Sequence, residues 1–151
     1  LLAVSEFPFQ PVSPALFLQG NALEGQVAAL NEDGTVNSAS NRAPRGTIVQ
    51  LFGTGQGVVP GAPPEGEPPT TALETTAKPR VFIGGGDFVP EENVIYSGLA
   101  PGLVGVWQIN VRIPQTTPPD AAIDTVVLLN NVPSNRTTDN RTIRTTIAVA
   151  P

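Results

Sequence analysis

Residues 104–113 read Val-Gly-Val-Trp-Gln-Ile-Asn-Val-Arg-Ile, and this stretch decides the fold. Trp107, Ile109, Val111 and Ile113 share one face of an extended chain; Gln108, Asn110 and Arg112 share the other. A strand with one dry and one wet face needs that alternation, so an antiparallel sheet is expected. Trp107, the only tryptophan, is assigned to the core with Ile109, Val111 and Ile113. The competing role for Trp107 is a stacking platform for a sugar.

Outward from this strand the same pattern recurs in short pieces. Gln26–Leu30 and Thr35–Asn37 flank Asn31-Glu32-Asp33-Gly34, which reads as a hairpin turn. Thr47–Phe52, Arg80–Ile83 and Asn93–Ser97 are β-prone, and Gly98–Gly102 reads as a loop. Ile123–Leu129 is nearly continuous in apolar residues and is expected to be buried on both faces. Ile143–Val149 places Ile143, Thr145, Ile147 and Val149 on one side. No window keeps a helical apolar stripe free of Pro and Gly. Proline and glycine number 17 and 15 among 151 residues, about a fifth against roughly 12% in average usage. With 40% hydrophobic residues the chain is too apolar for disorder, so the excess marks turns. The expectation is an all-β, immunoglobulin-like antiparallel β-sandwich of about seven to eight strands. It occupies residues 14–151 behind an N-terminal extension of residues 1–13.

The composition narrows the chemistry. His, Cys and Met are absent, which removes thiol nucleophiles, the histidine base, disulfides and Cys/His metal sites. Thirteen acids against eight bases give a net charge of −5, without the basic patch that a nucleic-acid partner requires. No apolar stretch is long enough to span a membrane. Gly53-Thr54-Gly55-Gln56-Gly57 looks like a phosphate loop, but Val58-Val59-Pro60 follows where a helix should start, so it reads as a turn or bulge. Glu32 with Asp33, and Asp87 with Glu91 and Glu92, offer oxygen ligands without calcium-loop spacing. Neither a catalytic residue, a metal site nor a cofactor is assigned, and the chain is read as a non-enzyme. Asn135-Arg136-Thr137 and Asn140-Arg141-Thr142 are sequons, so Asn135 and Asn140 are candidate glycan acceptors if the chain is secreted. The chain opens on Leu1 without methionine, which suggests a processed, exported protein. Gly61–Lys78, with four prolines and three glutamates, reads as an exposed loop, or as a contact arm for a neighbouring subunit.

The runs Gln26–Val59, Val81–Gly85, Tyr96–Pro114 (YSGLAPGLVGVWQINVRIP) and Thr146–Ala150 resemble the C-terminal Ig-like module of large secreted acidobacterial proteins, the uncharacterised Solibacter-type family. The resemblance covers roughly residues 14–150. It implies an extracellular β-sandwich with neither catalysis nor an agreed ligand. Gly86–Asn93 and Asn131–Thr142 depart from the family pattern as loop extensions.

Residues 1–9 carry the functional expectation. Leu1, Ala3, Phe7 and Phe9 fall on one face of the segment, Leu2 and Val4 on the other, and Pro8, Pro11 and Pro14 stiffen the connection to the rest of the domain. Such a segment is expected to pair with its own sheet or with the next copy by β-strand addition. Burial of its side chains does not by itself offset the entropy of ordering nine residues, so ladder hydrogen bonds are needed. Head-to-tail donation propagates a filament. The leading reading is therefore a structural subunit of an extracellular, pilus-like homopolymer assembled by donor-strand complementation. Leu1, Leu2, Ala3, Val4, Phe7 and Phe9 are the interface, and the strands at Ile143–Val149 and Trp107–Ile113 are candidates for the accepting sheet. The alternative is a monomeric cell-surface module that binds carbohydrate through Tyr96 and Trp107.

Overall fold

The alternation around Trp107 becomes the central strand of a sheet. In the computed structural model, which describes residues 10–20, 22–135 and 141–151, the chain is an all-β sandwich of two largely antiparallel sheets. Eleven strand segments are present among the described residues: β1 Ala15–Leu16, β2 Gly25–Gln26, β3 Ala29–Leu30, β4 Ile48–Thr54, β5 Leu73–Glu74, β6 Arg80–Ile83, β7 Val94–Leu99, β8 Trp107–Arg112, β9 Asp120–Leu129, β10 Val132–Pro133 and β11 Thr145–Val149. The first sheet runs β1-β4-β8-β7-β5, with β3 also beside β4. In the second, β9 pairs with β6 on one edge and with β10 and β11 on the other, and β2 lies parallel to β11.

The core between the sheets is built from alternate residues. Trp107, Ile109, Val111 and Ile113 are all fully buried, packed with Val49 and Leu51 of β4 and with Val127, Leu129, Ile147 and Val149 of the facing sheet. The indole N–H of Trp107 donates to Ser97 Oγ at 2.9 Å, and that hydroxyl lies 2.7 Å from Thr75 Oγ1. A buried indole needs such a partner, which explains a serine inside β7.

Several boundaries differ from the sequence reading. Val104–Val106 turn instead of pairing, because Val106 C=O accepts from Ala100 N–H and closes the β7–β8 connection. β7 runs through Gly98 and Leu99, which pair with β8 and β5. Leu73 C=O and the Tyr96 hydroxyl occupy the space where a Cβ on residue 98 would sit, so only glycine continues the strand there. β9 is not buried on both faces: Val126 and Leu128 are only half-buried, while Ile123, Thr125, Val127 and Leu129 point inward. β11 is buried along its whole length, Thr146 and Ala148 included. The Gly61–Lys78 segment is mostly exposed but is tied in by β5 and by Gly102 N–H donating to Pro69 C=O. The body begins ahead of residue 14, because Val12 belongs to the core and Ser13 N–H donates to Gly55 C=O at 2.8 Å.

The Gly53–Gly57 motif has a structural use. Side chains at 53, 55 or 57 would collide with the backbone of Ala15, Ser13 and Pro11 respectively. The three glycines form a flat strip along which residues 11–15 are laid, and Gly55 also needs its positive φ of 80°.

Two buried asparagines complete strand edges that no strand covers. β2 ends at Gln26 and Ala43 joins β11 only beside Val149, which leaves the Ala148 N–H between them without a ladder partner. Asn37 Oδ1 accepts it at 2.8 Å, and Asn37 Nδ2 donates to Ala148 C=O at 2.8 Å and to Asn31 Oδ1 at 2.8 Å. Asn135 repeats the arrangement on β1: Oδ1 accepts from Leu16 N–H at 2.8 Å and Nδ2 donates to Leu16 C=O at 2.9 Å. A side-chain amide carries one acceptor and one donor group in the spacing of a peptide, so it can stand in for a strand residue. Asn37→Ala would strand the Ala148 N–H and Asn31 Oδ1. It is expected to destabilise the fold by about 2–3 kcal/mol. Asn110→Ala, on the wet face of β8, is expected to shift stability by less than about 0.5 kcal/mol. Urea denaturation followed by Trp107 fluorescence checks both.

Candidate functional site

The outer face of the first sheet carries an apolar groove. Because Val49, Leu51 and Gly53 of β4 face inward, Phe52 faces out. Phe17, which follows β1, hydrogen-bonds through its N–H to Phe52 C=O at 2.9 Å, so the two residues lie side by side. Leu30 of β3 and Val36 of the hairpin form one wall. Leu103 and Val106, on the turn joining β7 to β8, form the opposite wall. That turn is held outward by Leu103 N–H donating to Ala100 C=O and Gly102 N–H to Pro69 C=O. The groove has a volume of about 510 Å³. Phe17, Val36 and Leu103 along it are 41%, 55% and 47% exposed, and the only polar side chain lining it is Gln19. Apolar side chains gathered this way mark a contact surface more than scattered ones do. The arrangement can bind an apolar group; it offers neither a nucleophile nor an acid–base pair.

The two strands expected to accept an incoming strand have no free edge. β8 is paired along its length with β4 and β7. β11 lies between β9 and β2, with Ala43 beside Val149 at its end. A strand edge already hydrogen-bonded on both sides has nothing to offer a third. Other edges are closed by smaller devices. Val89 N–H donates to Val81 C=O along β6, and Lys78 Nζ donates to Val94 C=O beside β7.

The remaining sequence candidates separate. Leu1, Leu2, Ala3, Val4, Phe7, Phe9 and Asn140 lie outside the described residues. Asn135 is 9% exposed, and its Nδ2 is engaged with Leu16. In this fold the residue acts as a structural tie. Trp107 presents nothing to a sugar. Tyr96 Oη donates to Leu99 C=O at 2.6 Å inside the β5–β7 corner. Glu32 Oε2 accepts from Ile48 N–H at 3.2 Å. The Asp33 carboxylate accepts from Thr35 Oγ1 at 2.6 Å and from Thr35 N–H, which lowers its pKa. These acids cap backbone and turn, and no group of three or more acidic side chains among the described residues gathers as metal ligands. No described helix is long and apolar enough to cross a membrane. The groove escaped the sequence reading because Phe17 and Phe52 are far apart in the chain; the signal available was an outward phenylalanine in the alternation of Thr47–Phe52.

No protein-family model, curated protein or solved structure matches the chain.

Tyr96 is the only tyrosine, so absorbance at 295 nm titrates it alone. Burial of the phenol raises its pKa above the ordinary 10.0. Stability contributed by this group is therefore complete below pH 10.0 and is lost as pH rises through the folded-state value. The titration midpoint of the native protein is expected above that in urea. Trp107 is expected to emit in the blue, to resist acrylamide quenching, and to be unchanged by oligosaccharides.

Proposed function

We propose that the chain is a structural, extracellular subunit that associates with copies of itself through the Leu1–Phe9 segment. The observation that carries this reading is the open apolar groove on the outer face of the β1-β4-β8 sheet, lined by Phe17, Phe52, Leu30, Val36, Leu103 and Val106. Its chemistry suits an apolar peptide and gives no handle to a polar substrate. The segment ahead of the body supplies such a peptide, with Phe7 and Phe9 flanking Pro8.

The closed strand edges favour seating a segment on a face over inserting a strand between strands. A contact in which one patch of a subunit binds a different patch of the next is heterologous. Repeated, it yields a ring or an open filament. The extracellular part of the reading comes from the resemblance of Tyr96–Pro114 and its neighbouring runs to modules of secreted proteins. Sparse charge and a net value of −5 do little to oppose close packing of copies.

The full chain is expected to show a mass that rises with concentration in light scattering, with rings or fibres by negative-stain microscopy. Phe7→Glu with Phe9→Glu is expected to leave monomers of unchanged far-ultraviolet dichroism. A wild-type chain that stays monomeric at submillimolar concentration would retire the reading.

A further inference from the structure

Resting on that reading, we infer that the groove between Val36 and Leu103 is the receiving site, and that its occupant is the Phe7-Pro8-Phe9 triplet of a second copy. Three observations carry this. The first is size. A cavity of about 150 Å³ holds one benzene ring, so a groove of about 510 Å³ has room for roughly three ring-sized groups. Phe7, Phe9 and one further apolar side chain of the segment match that capacity.

The second is reach. Residues 11–17 are laid along β4 from Gly57 to Phe52: Pro11 touches Gly57, Ser13 bonds to Gly55, and Phe17 bonds to Phe52. Pro11 is therefore about 20 Å from Phe17 along an extended chain. Phe9 precedes Pro11 by two residues, a covalent reach of about 7 Å. A backbone tether of that length leaves Phe9 short of the Phe17 end of the groove on its own copy, whereas a neighbour's groove sets no such limit.

The third is preorganisation. Pro8 restricts the backbone between the two phenylalanines, and Pro11 and Pro14 restrict the chain that joins the triplet to the body, so less freedom is lost on docking. Only the triplet has to be ordered, which suits a sheet face that supplies apolar contact without a ladder of hydrogen bonds.

Paired full-length variants test this. One carries Phe7→Glu and Phe9→Glu in the segment; the other carries Val36→Glu and Leu103→Glu at exposed positions on the groove walls. A carboxylate buried against apolar groups is expected to weaken association by about a hundredfold or more. Each variant alone is expected to be monomeric with native dichroism. Mixed, they are expected to form a 1:1 dimer and nothing larger, because one intact segment meets one intact groove. If the groove variant assembles like wild type while the segment variant does not, the groove is the wrong acceptor and self-association stands. If both variants are monomeric and their mixture gives no dimer, the trans occupant is wrong. If the wild type is itself monomeric, the broader reading fails with it.

Discussion

A small sandwich has to satisfy backbone hydrogen-bonding groups wherever a neighbouring strand runs out, and here buried amides do much of that work. Asn37 takes the N–H and C=O of Ala148 in the gap between β2 and Ala43, and Asn135 does the same for Leu16 on β1. Both amides span more than a hundred residues in sequence. Each ties a loop region to a strand at the point where its ladder is interrupted. Unpaired backbone groups at such depth would each cost about 1–3 kcal/mol, a large part of a typical domain's stability. The network extends outward from Asn37 through Asn31, Gln26 and Gln19, so the hairpin of β3 and the end of β11 are held as one unit.

That constraint explains what the sequence could and could not disclose. Strands β4, β6, β8 and β9 are legible because each has enough alternating or continuous apolar residues to show its period. β5 and β10, two residues each, are too short to have one. The tight β9–β10 hairpin was nevertheless written in the chain. Asn130 and Asn131 adopt φ of 49° and 62°, and consecutive asparagines tolerate the left-handed conformation of a two-residue turn. With Asn131 read as the start of a loop extension, the strand pair stayed concealed. The amide ties leave no local signal at all, since a buried Asn135 and an exposed asparagine look alike in sequence. For the same reason the Asn135 sequon pointed to a glycan where the fold has a clasp.

The glycine strip shows a different failure of local reading. Alternate glycines at 53, 55 and 57 suggest a loop when taken alone, and a phosphate cradle when taken by pattern. Their meaning depends on a segment some forty residues earlier, whose backbone they admit. Packing between distant parts of the chain decides such positions, and a single sequence carries only one side of that contact. The groove is legible by halves in the same way, with Phe52 readable as an outward residue and Phe17 unassigned.

Closing the edges also redirects how copies of the molecule can meet. With β8 and β11 flanked on both sides, strand addition at either would require an existing pair to separate, at the cost of its hydrogen bonds and of the core beneath. Seating an apolar triplet on an outer face breaks nothing. It buries phenylalanine against phenylalanine, where the gain scales with area and does not require a ladder. A body whose β8 and β11 are flanked on both sides and which carries an open apolar groove is thus biased toward docking through side chains. Gln19, which lines the groove and donates to Asn37 C=O, couples that face to the amide network that completes the strands.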